Sequence, residues 1–257
     1  MRRNILAGPI SVLFAASILA VSAASCAEPK KAETPTAAAA PDAAFGEKVR
    51  AYLIAHPEVI AEAIEALKTK QQAEAEASNA KAIAQNKAQL EHAVGDPSLG
   101  AGPVTVVEFF DYRCAYCKAA APHIPDMVAK NSQIRLVFKE FPILTEVSEH
   151  AARAALAAQI QGKYLPVHLA FMAEKALDDD GINRILKEKG VDLVRAHADM
   201  QSEPVSKKIE ENRALAREIG VDGTPGFVVA DKVIGGFIED DIIAATKAKV
   251  ETPKTGT

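Results

Sequence analysis

The sequence contains no tryptophan, and aromatic residues make up only 5% of its 257 residues, whereas alanine is abundant. Because all-β folds draw on aromatic and β-branched side chains, this composition favours helices that pack through small residues. A surplus of basic residues is also absent: 30 lysines and arginines stand against 34 aspartates and glutamates, and the net charge is -4. Nucleic acid is therefore not expected as a partner, because phosphate binding requires a basic surface.

The N-terminal segment has the features of an export signal. Arg2 and Arg3 precede an apolar stretch that is shorter than the roughly 18–20 residues of a membrane span. Small residues in the run SAASCA then offer cleavage sites after Ala24 or Ala27. We therefore predict a signal peptide over residues 1–27 and export to the periplasm, in preference to a membrane anchor.

Cysteine is scarce, with three residues in the whole chain. Cys26 lies where a lipoprotein carries its lipid, but Ala23 stands where such signals usually have leucine, so lipidation is the less favoured outcome. If cleavage follows Ala27, the mature chain keeps Cys114 and Cys117 alone. In an oxidising compartment such a pair is a disulfide or a redox centre more readily than a metal site.

The region before the main domain divides into a tether and an arm. Residues 28–44 are rich in alanine, proline and lysine, which predicts a disordered tether. Residues 45–95 are predicted to be a helical arm with a linker, and Pro57 is placed in the first turn of its second helix. An apolar stripe covers residues 45–67 and is missing between Thr69 and Lys81. That stripe packs either onto the main domain or onto other copies of the chain, and the sequence leaves both open.

Residues 100–250 have an α/β pattern that is interrupted by helices. A strand, a helix and a second strand form a βαβ unit, with the strands read from VTVVEFFDY and IRLVFKEFPI. A helical insertion is predicted over about residues 146–220. Two short strands in FVVADKVIGG, with Asp231 and Lys232 at their turn, and a last helix complete the domain. The run GDPSLGAG before the first strand is predicted to form turns.

Cys114 and Cys117 form a C-x-x-C pair where the first strand gives way to a helix. Backbone N–H groups at a helix start stabilise an anion, and the thiolate is the reactive form of cysteine. Cys117 lies one turn later, so it can resolve a mixed disulfide on Cys114. No second C-x-x-C and no closely spaced histidine pair exists in the sequence, which leaves a zinc site without ligands. No metal is therefore predicted. A purely structural disulfide is also disfavoured, because so short a loop would stabilise the fold little.

A second motif lies in GVDGTPGFVV, where Thr224-Pro225 stands between a helix and a strand. Together, the order of strand, C-x-x-C, helical insertion and G-T-P resembles the thioredoxin superfamily, in its DsbA-like branch. The fold class implied is α/β, a thioredoxin fold with an inserted helical domain, preceded by an N-terminal helical arm. No cofactor is implied.

The resemblance also implies roles for individual residues. Pro225 would be cis beside the dithiol, and Thr224 would bind the substrate backbone. Cys114 would be the nucleophile and Cys117 the buried resolving thiol. The remaining implied roles are redox tuning by Ala115 and Tyr116 and proton transfer by Glu108. Without the resemblance, Glu108 is interpreted as an ordinary charge at a strand edge.

Within the branch, the chain most resembles the suppressor-of-copper-sensitivity C proteins. That likeness implies a disulfide isomerase or reductase acting on misfolded exported proteins, a homotrimer formed through residues 45–67, and a membrane thiol reductant of the DsbD or ScsB type. Two departures are the Ala-Tyr dipeptide, where strongly oxidising members carry Pro-His, and Gly226 after the loop proline. A dithiol oxidase and a Cu(I)-binding protein remain as alternatives.

Overall fold

The computed structural model describes residues 43–92 and 95–251, leaving aside the side chain of His92. The predicted signal peptide, Cys26 and nearly all of the predicted tether lie outside these residues. The chain divides after Pro57 into two units. No helix in the described part of the chain is long and apolar enough to cross a membrane.

Helix α1, Ala43–Ala55, belongs to the first unit and has no buried residue. Its large apolar side chains face solvent, and that of Phe45 is 62% exposed. The helix ends before Pro57, because proline disfavours helical backbone at the residue before it. Helix α2 begins at Glu58, so Pro57 lies just before that helix and not in its first turn.

Helix α2, Glu58–Gln85, is one continuous helix through the polar stretch between Thr69 and Lys81. Its residues from 60 to 78 are exposed, whereas Ile83 is buried in the second unit. A short helix α3, Lys87–His92, follows and buries Leu90 against the same core. The C-terminal turns of the arm are therefore part of the main domain.

A five-stranded sheet in the order β1-β3-β2-β4-β5 forms the centre of the second unit. Strands β2 and β3 pair in parallel, and the other neighbours are antiparallel. Both central strands are buried on each face, which explains their nearly continuous apolar sequences. The strands are β1 Ser98–Leu99, β2 Val104–Phe110, β3 Ile134–Glu140, β4 Gly226–Val229 and β5 Lys232–Gly235.

Three local predictions are corrected by the structure. The run predicted to form turns contains β1, whose two residues pair with β3. The turn between β4 and β5 consists of Ala230 and Asp231, because Lys232 pairs with Val229. The single helix predicted after the dithiol is two helices, α4 Ala115–Ala120 and α5 Ile124–Lys130. Pro122 lies between them, where its missing N–H and its ring stop the first helix.

Five helices between the two halves of the sheet form the insertion, and helix α11, Glu239–Glu251, ends the domain. Helix α6 packs through six buried alanines, as the composition suggested. Side chains of Thr145, Asp178 and Asp192 cap three of the helices by accepting backbone N–H bonds. The predicted α/β architecture with an inserted helical domain is confirmed. The helices are α6 Glu146–Ile160, α7 Tyr164–Ala173, α8 Asp179–Glu188, α9 Leu193–Met200 and α10 Glu203–Glu218.

The sheet separates two cores, and the alternation of β2 assigns its side chains to them. Val106 and Phe110 face the core that contains both cysteines, and Val107 and Phe109 face the core that contains Ile83 of α2. Because side chains alternate along a strand, Glu108 faces the cysteine side.

Candidate active site

Cys114 occupies the N-cap position of α4, with an extended backbone at φ -74° and ψ 120°. Its N–H donates to the carbonyl of Asp111 at 3.1 Å, and its own carbonyl accepts from the N–H of Lys118 at 3.0 Å. Both cysteine thiols are free. The Cys114 side chain keeps 7% of its surface exposed and Cys117 keeps none, so a large partner reaches Cys114 first.

The loop before β4 meets the dithiol, although the two are far apart in sequence. The Thr224-Pro225 peptide bond is cis, as the family resemblance implied. The thiol of Cys114 donates to the carbonyl oxygen of Thr224 at 3.1 Å. The carbonyl of Pro225 in turn accepts from the N–H of Gly236 at 2.8 Å, which ties the loop to the residue that follows β5. The structure thus brings Cys114, Thr224 and Pro225 into one site.

Glu108 is buried in the central strand β2, so its interpretation as a charge at a strand edge is wrong. It is 1% exposed, and its Oε2 has no hydrogen-bond partner among the described residues. Burial raises the pKa of Glu108 from 4.5 to about 8. At neutral pH its carboxyl is therefore poised to hold or release a proton inside the core.

Cys117 is also buried, and desolvation raises the pKa of its thiol well above the ordinary value. The charges of Cys114 and Glu108 raise it further, while a backbone hydrogen bond to Asp111 acts in the opposite direction. Because a thiolate at Cys117 and a carboxylate at Glu108 repel each other, the pair favours states in which one of them holds a proton.

The two residues between the cysteines lie at the surface. Ala115 is exposed, and the Tyr116 side chain is 77% exposed. Both are therefore free to contact a bound polypeptide, and neither is part of the core.

Asp111, which the sequence analysis missed, organises the turn around the dithiol. Its Oδ1 accepts from the N–H of Arg113 at 2.7 Å and from Oγ of Ser148 at 2.8 Å. Its Oδ2 accepts from the N–H groups of Ile143 and Leu144 at 2.8 and 3.0 Å. One buried carboxylate thus joins the turn, the loop after β3 and helix α6. The position of an aspartate at the end of a strand was the one signal in the sequence.

A second polar cluster that the sequence analysis missed lies beside the turn. Oε1 of Glu140 accepts from the hydroxyls of Tyr112 and Tyr164 at 2.9 and 2.8 Å, and the Tyr112 hydroxyl lies 3.0 Å from Nδ1 of His168. Burial raises the pKa of Glu140 well above its ordinary value and lowers that of His168 to about 3. The cluster holds Tyr112, two residues before Cys114, against helix α7.

A groove of about 610 Å³ adjoins the loop that Asp111 holds. Ile143 and Leu144 are exposed along it, and its charged lining is of both signs, with Arg213 and Arg217 opposed by Glu146 and Glu149. Its lining includes Asp222, two residues before Thr224.

A metal site is not apparent in the described part of the chain. Within residues 43–92 and 95–251, no group of three or more His, Cys, Asp or Glu residues is arranged to hold a metal ion.

Two protein families match this chain. The DSBA-like thioredoxin domain matches residues 105–244, more than half of the sequence. The chain belongs to this family. The N-terminal domain of the copper resistance protein ScsC matches residues 42–74, which include α1 and most of the exposed part of α2.

Solved structures of similar proteins support the assignment. A thioredoxin-like oxidoreductase from Silicibacter pomeroyi is 40% identical, with a TM-score of 0.63 over 65% of this chain and 99% of that one. BcfH from Salmonella enterica Typhimurium is 30% identical, with a TM-score of 0.68 over 79% and 93%. Proteus mirabilis ScsC in a transitional conformation is 26% identical, with a TM-score of 0.61 over 81% and 98%.

The curated relatives are of two kinds. The first is the Na(+)/H(+) antiporter NhaA of Herminiimonas arsenicoxydans, 30% identical over 60% of this chain; the chain spans 24% of that protein's length. The thiol:disulfide interchange protein DsbA of Bordetella pertussis is 26% identical over 53% of this chain and 68% of its own. The family membership and the site geometry both support thiol–disulfide chemistry.

Proposed function

We propose that this protein is a periplasmic thiol–disulfide oxidoreductase that acts as a disulfide isomerase and reductase on misfolded exported proteins. The observation that carries the proposal is the contact between the free Cys114 thiol and the Thr224 carbonyl, with Cys117 buried behind. Ala115 and Tyr116 then tune the redox potential of the pair.

The first step is an exchange at the client. The Cys114 thiolate attacks one sulfur of a client disulfide, the client S–S bond breaks, and a mixed disulfide forms. The sulfur that leaves departs as a thiolate and takes a proton from solvent. The groove beside Ile143 and Leu144 offers apolar surface to the unfolded segment of the client.

The mixed disulfide is then resolved in one of two ways. In isomerisation, another client thiolate attacks the client sulfur, a new client disulfide forms, and the Cys114 thiolate is released without net oxidation. In reduction, Cys117 attacks the Cys114 sulfur, the client leaves with two thiols, and Cys114 and Cys117 are oxidised to a disulfide. Glu108 accepts the proton that Cys117 loses when its carboxyl is ionised, a form that a pKa of about 8 leaves as the minority at neutral pH.

The arm favours isomerase and reductase activity over oxidase activity. Residues 42–74 match a domain found in ScsC, and the apolar side chains of α1 are exposed. Assembly of a homotrimer through residues 45–67 would cover these side chains and present several dithiols to one client at high effective concentration. A membrane thiol reductant of the DsbD or ScsB type would keep the dithiols reduced.

Ribonuclease with scrambled disulfides tests this proposal. The reduced protein should reactivate it catalytically, and a Cys114→Ser variant should not. Reactivation no faster than that variant would overturn the isomerase assignment.

A dithiol oxidase is the second candidate, because the relatives include proteins named DsbA. Rapid oxidation of reduced ribonuclease without reactivation of the scrambled form would favour it. Cu(I) binding is a third candidate, because the arm matches a copper resistance protein and two thiolates suit Cu(I). Tight copper binding without turnover of insulin disulfides would favour that interpretation.

A further inference from the structure

Two cationic side chains flank the dithiol and reach the helical insertion. Lys118 follows Cys117, and its Nζ donates to the carbonyls of Phe171 and Glu174 at 2.9 and 2.7 Å. A third carbonyl, that of Met172, lies 3.5 Å from the same nitrogen. Arg113 precedes Cys114 and donates from Nη1 to the carbonyl of Leu177 at 2.7 Å.

These carbonyls belong to the C-terminal end of α7 and to the connection that follows it. The last carbonyls of a helix have no partner within the helix and carry a partial negative charge, so a cation there is stabilising. The end of α7 is thus capped by Lys118, a residue of the catalytic helix α4. The insertion and the dithiol helix therefore share one set of hydrogen bonds.

Lys118 is also tied to Cys114, the N-cap residue of α4, through the backbone. The N–H of Lys118 donates to the carbonyl of Cys114 at 3.0 Å, which is the first hydrogen bond of the helix. Burial lowers the pKa of Lys118, as does the charge of Arg113, whereas the charges of Glu174, Asp111 and Cys117 raise it. The Lys118 ammonium group therefore interacts electrostatically with Cys117, one of the two cysteines of the dithiol.

We propose that Lys118 is a positioning residue for the thiol–disulfide reaction, and that Arg113 assists it by binding the same connection after α7. Its hydrogen bonds fix the end of α7 against the catalytic turn, and its charge favours the thiolate form of the dithiol. The inference rests on the proposed function, in that it assumes a reactive Cys114. Thiol reactivity then depends on the contact between the insertion and the turn.

The test compares Lys118→Met, Lys118→Arg and a matched control in the full-length reduced protein. Arg153→Met is the control, because Nη1 of Arg153 donates to the carbonyl of Met200 at the end of α9 and to Oγ of Ser206, away from the dithiol. The measurements are the rate of Cys114 alkylation by iodoacetamide at pH 7, located by mass spectrometry, the equilibrium with glutathione, and the melting temperature.

We expect Lys118→Met to slow alkylation about tenfold, because an adjacent cation stabilises the attacking thiolate. The glutathione equilibrium should move toward the oxidised protein by a similar factor, since the reduced form loses that stabilisation. Lys118→Arg should stay within about twofold of the unaltered protein, because it keeps the charge and the donors. Arg153→Met should lower the melting temperature without changing the alkylation rate.

An unchanged rate in Lys118→Met, or an equal loss of rate in Arg153→Met, would overturn the inference. If Lys118→Met does not fold, Lys118→Gln replaces it: an amide keeps donors but no charge, and the same slowing is expected. Alkylation needs no client protein, so this outcome is independent of the scrambled-ribonuclease assay. A failure of either one is therefore distinguishable from a failure of the other.

Discussion

The thiol of Cys114 donates to the carbonyl oxygen of Thr224 at 3.1 Å, across 110 positions of the sequence. A thiolate and a disulfide sulfur have no proton to donate. The Thr224 carbonyl is therefore occupied while Cys114 is a thiol and is freed when Cys114 ionises or joins a client. If clients bind as extended segments beside this loop, the freed carbonyl accepts a client N–H when the reaction begins.

Cys114→Ala and Cys114→Ser separate this effect from loss of the sulfur. Serine keeps a donor for the Thr224 carbonyl, whereas alanine leaves the carbonyl free. One net hydrogen bond contributes about 0.5–1.5 kcal/mol, so Cys114→Ala should bind a cysteine-free unfolded peptide roughly 2–10 times more tightly than Cys114→Ser. Isothermal titration calorimetry gives both affinities. Equal affinities would mean that the carbonyl does not contact the client.

Glu108 makes the stability of the fold depend on pH. Its pKa is raised from 4.5 to about 8, so between these values the folded protein keeps a proton that the unfolded chain has lost. The free energy of unfolding should therefore fall as the pH rises through this window. Glu108→Gln is neutral in both states and should remove the contribution of Glu108 to that slope, with a relative gain of about 4 kcal/mol at pH 8 compared with pH 4, whereas the contribution of the buried Glu140 remains.

Urea denaturation at several pH values measures the slope. Asp126→Asn, which alters an exposed carboxyl at the start of α5, is the control and should keep the slope of the unaltered protein. The same slope in Glu108→Gln would show that the buried carboxyl titrates no differently in the folded and unfolded states.

Resolution of the mixed disulfide by Cys117, the step that reduces the client, should also depend on Glu108. Proton transfer by a positioned side chain contributes typically about 10²–10⁴-fold, so Glu108→Gln should slow the attack of Cys117 on the mixed disulfide by about 10²-fold. Attack by Cys114 should be nearly unaffected. Quenched-flow mass spectrometry should show the mixed disulfide accumulating with a client peptide. Turnover without accumulation would remove Glu108 from the proton transfer.

Motifs with local chemistry were predictable from the sequence. The cysteine pair at a strand-to-helix junction, the buried runs of β2 and β3, and the Thr224-Pro225 loop each combine a residue type with a neighbouring pattern. The structure contains the predicted βαβ unit: β2 and β3 pair in parallel, and α4 and α5 connect them.

Features that depend on distant partners were not predictable. Strand β1 has two residues and exists because it pairs with β3. Asp111 and Lys118 look like ordinary surface charges in sequence, yet their bonds end on backbone groups 32 and 53 residues away. Backbone N–H and C=O groups are the same for every residue type, so no sequence pattern marks them as partners.

Asp111 should contribute more to stability than a typical helix cap. In Asp111→Asn one acceptor oxygen becomes a donor. Either the part-buried N–H groups of Ile143 and Leu144 or the donors on the other oxygen, the Arg113 N–H and the Ser148 hydroxyl, then lose an acceptor. An unpaired donor costs about 1 kcal/mol at the low end of the range for buried groups, so the variant should lose about 2 kcal/mol in urea denaturation. Asp178→Asn is the control: Asp178 caps α8, and asparagine caps equally well, so the change should be small.

The arm makes a prediction about assembly. Ile64 and Leu67 are exposed on α2, within the segment proposed to form the trimer. The double variant Ile64→Asp/Leu67→Asp would place charges in that interface and should give a monomer in light scattering after size exclusion. Gln71→Asp/Ala75→Asp, on the exposed polar part of the same helix, is the control and should leave the mass unchanged. Substitutions are used and not a deletion of the arm, because Ile83 and Leu90 lie in the core of the main domain and their removal would disturb that core. An unchanged mass in the first variant would place the interface elsewhere.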